Sequence, residues 1–140
     1  MKILRLIILI PAIIVAMFLT NILTDLLLGI FNYFTTEPSP FSFIWDSFLK
    51  SGVITGAAIY SAMYIYPYEK KYPALIIVTI MYISIYVLLS NSFFYLSEYL
   101  KDFHFSRKTI ISLVAQVVGN VVVLGYYWVH TYLDEIKSSK

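Results

Sequence analysis

Residues 6–31 read LIILIPAIIVAMFLTNILTDLLLGIF. No charged residue falls between Arg5 and Asp25, and the few polar groups come late in the run. Crossing a hydrocarbon layer takes roughly 20 apolar residues at about 1.5 Å of rise each, and this stretch supplies them. Lys2 and Arg5 before it resemble the basic head of a secretion signal, but the apolar run is longer than such a signal needs. No small-residue cleavage pattern follows it either. The reading is a retained first helix that also serves as an uncleaved insertion signal.

The rest of the chain has the same character. Of the 140 residues, 60% are hydrophobic and 13% charged, and the mean hydropathy is +0.80. A soluble domain is roughly 45–50% apolar and about 25% charged. A chain this short cannot hide so much apolar surface in one core, so much of it must face lipid. Three further segments are long enough to span. The sequence therefore predicts an all-α polytopic membrane protein, a four-transmembrane-helix antiparallel bundle. It forms a single domain, 1–140, with helices near 3–34, 41–66, 74–96 and 110–132.

The breaks between these segments are chemically marked. TTEPSP (35–40) places two prolines and a glutamate where a spanning helix cannot continue. YPYEKKYP (66–73) is a tight connection that makes the second and third helices antiparallel neighbours. SEYLKDFHFSRKT (97–109) reads as a longer polar and aromatic link, and DEIKSSK (134–140) as a short solvated tail.

Lysine and arginine set the expected orientation. With the N-terminus inside, Lys2, Arg5, Lys70, Lys71, Lys137 and Lys140 lie on the inner side, against Lys50, Lys101, Arg107 and Lys108 outside. The expected setting is a bacterial cytoplasmic (inner) membrane with both termini in the cytoplasm. Aromatic residues gather at the segment ends as interfacial anchors. Trp45, Phe93 and Tyr99 are among those outside, and Tyr64, Tyr66, Tyr72, Trp128 and Tyr132 among those inside.

The polar residues inside the spans are unevenly distributed. Asp25 lies about 30 Å along the helix from Arg5, which places it near the outer boundary, with Asn21 one turn deeper. Measured from Tyr66, Lys50 falls about 24 Å away, and Asn91 falls about 27 Å past Pro73. Gln116 and Asn120 share a face of the fourth helix, about 9 and 15 Å below Ile110. Asn21, Asp25, Lys50, Asn91, Gln116 and Asn120 thus share one half of the bilayer and form the candidate polar cluster. The other half offers little beyond Thr79 and tyrosine hydroxyls.

A carboxylate within a spanning segment is costly and is a functional candidate by default. Asp25 either fixes helix depth, hydrated or paired with Lys50, or sits deep and unpaired with a raised pKa suited to carrying a proton. Gln116 and Asn120 either brace neighbouring helices by hydrogen bonds or line a polar cavity.

GVITGAAIYSA (52–62) carries small residues four apart: Gly52 and Gly56, Ala57 and Ser61, Ala58 and Ala62. Such pairs let another backbone approach closely, whether from the same chain or from a second one. Gly119 and Gly125 supply a second close-contact surface on the fourth helix.

Several classes of function are disfavoured. A net charge of +2 without a basic arm does not suit nucleic acid. The absence of cysteine removes thiol chemistry and thiolate metal sites. His104 and His130 fall about a membrane thickness apart, so they cannot converge on a metal. Asp102 with His104 reads as a solvated loop pair rather than an acid–base site. No cofactor, metal site or catalytic residue is expected.

The expected function is association through the membrane helices, as an accessory subunit, an immunity- or exclusion-type factor or an oligomeric scaffold. The expected partners are the bilayer itself, a second copy, a partner membrane protein or a lipid-like ligand. The alternative is a small transporter or channel that uses the polar cluster.

Overall fold

The computed structural model describes residues 1–34, 42–99 and 107–138. These form four helices, α1 (Lys2–Phe34), α2 (Ser42–Ile65), α3 (Tyr72–Tyr99) and α4 (Arg107–Ser138). No strand occurs among the described residues. Each helix contains a segment long and apolar enough to cross a membrane: Lys2–Phe31, Ile44–Ile65, Tyr72–Leu89 and Thr109–Lys137.

The helices outrun the expected spans at several ends. α4 begins at Arg107 and continues through Asp134, Glu135 and Lys137 to Ser138, so most of the expected tail is helical. Glu135 and Lys137 are good helix formers, and Lys137 in the last turn complements the helix dipole. α3 starts at Tyr72 with Pro73 in its first turn, where a missing N–H costs nothing. It runs on to Tyr99, through the start of the expected link.

α2 is the central helix. It packs along α4 and α1 over much of its length, and against α3 more briefly. The backbones of α1 and α3 do not approach one another, nor do those of α1 and α4, among the described residues. Directions follow from which residues meet. Asp25 on α1 reaches Lys50 on α2, and Thr55 on α2 reaches Tyr82 on α3, while Leu9 and Ile13 cluster with Ala58, Ile59 and Ala62. Successive helices are therefore antiparallel, and α2 and α4 run parallel, as Ser47 beside Ser112 and Thr55 beside Asn120 require.

The α2–α4 contact depends on Gly119. A side-chain carbon there would come 2.6 Å from the carbonyl oxygen of Phe48 and would overlap Ser51 Oγ. Only a glycine lets the two backbones pass this closely. Gly52 faces Val123 across the same seam, at a distance that would leave a methyl group in van der Waals contact.

The two ends of the bundle are built differently. At the terminal end, which holds the start of α1, the 66–71 turn and the end of α4, lies the main core. Leu9 and Ile13 meet Ala58, Ile59, Ala62, Ala74, Leu75, Val78 and Tyr82, nearly all without exposed surface. Ala58 and Ala62 are thus spent on packing inside the chain. Trp128 closes the α3–α4 side of this end: its ring meets Tyr72 at a tilt, 5.6 Å between centroids, and its Nε1–H donates to Thr79 Oγ1 at 3.2 Å. The turn is tied by Lys71, whose ammonium donates to the Tyr66 carbonyl at 3.2 Å. That satisfies an acceptor just past the end of α2, where cations are favoured. At the opposite end, called the linker end below, the fully buried apolar side chains of the main core are replaced by polar contacts.

Candidate functional site

The linker end holds a cavity of about 280 Å³ bounded by all four helices. Met17 and Asn21 come from α1, and Lys50, Ser51 and Ile54 from α2. Tyr82, Ile85, Tyr86 and Leu89 come from α3, and Gln116 and Asn120 from α4. The backbones of α1 and α3, which flank the cavity, stay apart.

A buried hydrogen-bond chain forms the floor. Thr55 Oγ1 lies 2.6 Å from Asn120 Oδ1 and 2.9 Å from Tyr82 Oη. A threonine hydroxyl has one proton, and Asn120 Oδ1 and the Ser51 carbonyl oxygen, 2.9 Å away, can only accept it, so the Tyr82 hydroxyl donates to Thr55 in turn. The Asn120 amide N–H then donates to Tyr86 Oη. Three helices are joined by this chain, and the proton of the Tyr86 hydroxyl is left over for the cavity. Thr55 has no exposed surface and Asn120 almost none, which is where such groups must be satisfied.

An ion pair stands at one edge. Lys50 Nζ donates to Asp25 Oδ1, with the lysine side chain 28% and the aspartate 54% exposed. Lys50 lines the cavity while Asp25 faces a shallow depression with Leu26, Gly29, Ile30 and Tyr33. The cavity therefore carries no uncompensated charge from this pair.

Two wall groups are uncommitted. Neither the Asn21 nor the Gln116 carboxamide makes a hydrogen bond to any described residue. Gln116 and Asn120 thus divide the two roles open to them in the sequence: Asn120 braces α4 against α2 and α3, and Gln116 lines the cavity.

Of the six residues in the expected polar cluster, Asn21, Lys50, Gln116 and Asn120 line one cavity, and Asp25 is tied to it through Lys50. The Asn91 side chain lies outside the described residues, as do Asp102 and His104. Sequence reading missed Thr55, Tyr82 and Tyr86. A signal was present, since Tyr82 and Tyr86 sit four apart inside a span, away from its ends. A tyrosine buried there needs a partner for its hydroxyl.

The expected small-residue groove is split. Gly119, Ala58 and Ala62 are buried within the chain. Gly56 instead lies on the outward side of α2, where an added side-chain carbon would meet nothing within 4 Å. Around it Leu49, Val53, Tyr60 and Tyr64 are exposed, with the Tyr60 and Tyr64 rings stacked at 6.3 Å. Gly52 borders this strip and also touches α4.

At the terminal end a wider depression of about 810 Å³ is edged by Glu69, Lys70, Lys71, His130, Asp134 and Glu135, among others. His130 Nδ1 lies 3.0 Å from Asp134 Oδ2, one turn along α4, and both are well exposed. No group of three metal-ligating side chains converges among the described residues. No family model, curated protein or solved structure matches the chain.

Proposed function

We propose that this chain is an integral membrane protein, an antiparallel four-helix bundle, that acts without catalysis by associating through its helices. Accessory subunit, immunity- or exclusion-type factor and oligomeric scaffold are the roles that suit this build. Its partner is a second copy or another membrane protein. The lysine and arginine balance supports both termini in the cytoplasm, and the location proposed with it is a bacterial inner membrane.

The observation that carries this reading is the outward strip of α2. α2 is the helix most enclosed by its neighbours, yet it keeps Leu49, Val53, Tyr60 and Tyr64 exposed, with Gly56 half-buried among them. In lipid there is no water to drive helices together, so close packing at small residues and hydrogen bonds decide association. Gly56 offers bare backbone between large side chains, which is the shape such packing uses.

The experiment is a mass measurement in mild detergent by light scattering, on wild type and on Gly56→Leu. A Cβ at 56 meets nothing within 4 Å in the monomer, so a side chain added there tests association rather than the fold. Gly52→Leu, which presses on Val123, serves as the folding comparison. The wild type is expected as an oligomer or complex that Gly56→Leu dissociates. A monomer that binds nothing, and that neither substitution changes, overturns the proposal.

The cavity supports a second reading, a small transporter or channel for an ion or solute. Against it, the Leu9–Ile13–Ile59–Leu75–Val78 cluster separates the cavity from the terminal end, and a conducting path needs polar lining or water throughout. Flux in proteoliposomes that vanishes in Asp25→Asn would place this reading first.

A further inference from the structure

We infer that the linker-end cavity binds the uncharged, hydroxyl-bearing head of an amphiphile, an acylglycerol in chemical class. The inference stands on a different surface from the association strip and does not depend on it.

Charge comes first. Lys50 is the cation at the cavity wall, and Asp25 compensates it. A phosphate or carboxylate head would gain no net attraction here, yet would lose its hydration. An ammonium head would meet Lys50 as a like charge. A neutral head avoids both costs.

Hydrogen bonding comes second. The uncommitted groups are the Asn21 and Gln116 carboxamides and the remaining proton of Tyr86. Each carboxamide offers both donors and an acceptor, which matches a hydroxyl that donates and accepts at once. The Tyr86 proton suits an ester carbonyl. A partner's transmembrane helix is a poor occupant, because its backbone groups are already bonded internally.

Shape comes third. Met17, Ile54, Ile85 and Leu89 give the same cavity an apolar side, and Leu89 continues to the exposed surface. The volume of about 280 Å³ sits at the lower edge of the ~300–1,000 Å³ typical of ligand sites. That accommodates a glycerol ester and its first methylenes. The remaining chain would lie along the outside of the bundle between α1 and α3.

The test uses the full-length protein in mild detergent and three probes sharing one hydrocarbon chain: 1-monooleoylglycerol, methyl oleate and oleyl phosphate. Native mass spectrometry of competition mixtures reads which probe stays bound. Wild type is expected to retain one monooleoylglycerol with about tenfold preference over each competitor, the worth of roughly two net hydrogen bonds. Asn21→Leu combined with Gln116→Leu should reduce monooleoylglycerol to the level of methyl oleate. Asp25→Asn, which leaves the Lys50 charge uncompensated, should move the preference to oleyl phosphate. Equal binding of methyl oleate and monooleoylglycerol by wild type overturns the inference, because the cavity is then a plain apolar crevice. Preference of wild type for oleyl phosphate overturns it as well. The wild-type comparison decides by itself if the double variant does not fold.

Discussion

The terminal half of the bundle and its linker half solve the same problem in different ways. In the first, Leu9, Ile13, Ile59, Leu75 and Val78 interlock with alanines until nothing is exposed. In the second, a glycine passage at Gly119 and a chain of hydroxyls and amides hold the helices around a space. Packing of the first kind leaves no room for a guest. Polar cross-links at a few points fix helix positions while leaving volume between them. The contrast shows how one small bundle can be rigid and still keep a recess.

Substitutions at six positions test that contrast, each read as unfolding free energy in mixed micelles titrated with a denaturing detergent. The largest effect is expected from Gly119→Leu. Its side chain has nowhere to go but into Ser51 and the Phe48 carbonyl, so the α2–α4 seam must open. Overpacking costs about 1–3 kcal/mol where side chains can yield, and here backbone stands in the way, so a loss of about 3 kcal/mol or failure to fold is expected. Gly56→Ala, in open space, should leave stability level or slightly raised. If the two glycine variants behave alike, the seam does not hold the linker half together.

Leu75→Ala probes the terminal half. In a soluble core such a change costs about 2–5 kcal/mol, part of it for transfer out of water. Under the proposed membrane location the transfer part falls away because the unfolded helix stays in lipid, so about 1–2 kcal/mol is expected. A loss as large as in soluble proteins would mean that water reaches this end.

Thr55→Val keeps the volume and removes the hydroxyl between Tyr82 and Asn120. A loss near 1 kcal/mol is expected, as for other hydrogen bonds between helices in membranes. No loss would place the cost of the linker half on shape alone.

Asp25→Asn, combined with Lys50→Met in a double-mutant cycle, should give the smallest coupling. Asp25 is 54% exposed, so the pair is worth at most a few tenths of a kcal/mol. A coupling several times larger would show that this edge is drier than its exposure implies.

Much of the architecture was legible in the chain because length and hydropathy dictate spanning helices with little ambiguity. Their ends were less legible. The 134–137 stretch looks like a solvated tail by charge, yet glutamate and lysine also extend helices well, and propensity prevailed. Depth arithmetic along each helix was enough to bring Asn21, Lys50, Gln116 and Asn120 to one level, since rise per residue is fixed. It could not say which of them faced inward, because the rotation of each helix is set by neighbours. That is why Gln116 and Asn120, adjacent on one face, were indistinguishable until Thr55 and Tyr86 were seen to engage only one of them. The small-residue motif was ambiguous for the same reason: Gly52 borders the α4 seam and Gly56 turns outward, although they are one turn apart.

The parallel pairing of α2 with α4 fixes an order of assembly. Two parallel helices cannot be neighbours in the chain, so the seam at Gly119 waits for everything between them to be made. During synthesis the N-terminal portion is exposed first. Until the last quarter of the polypeptide emerges, Thr55 has no amide to receive its proton and Ser51 lies uncovered. A ribosome stalled before Gln116 would leave a half-built vessel, lacking one wall and part of its floor.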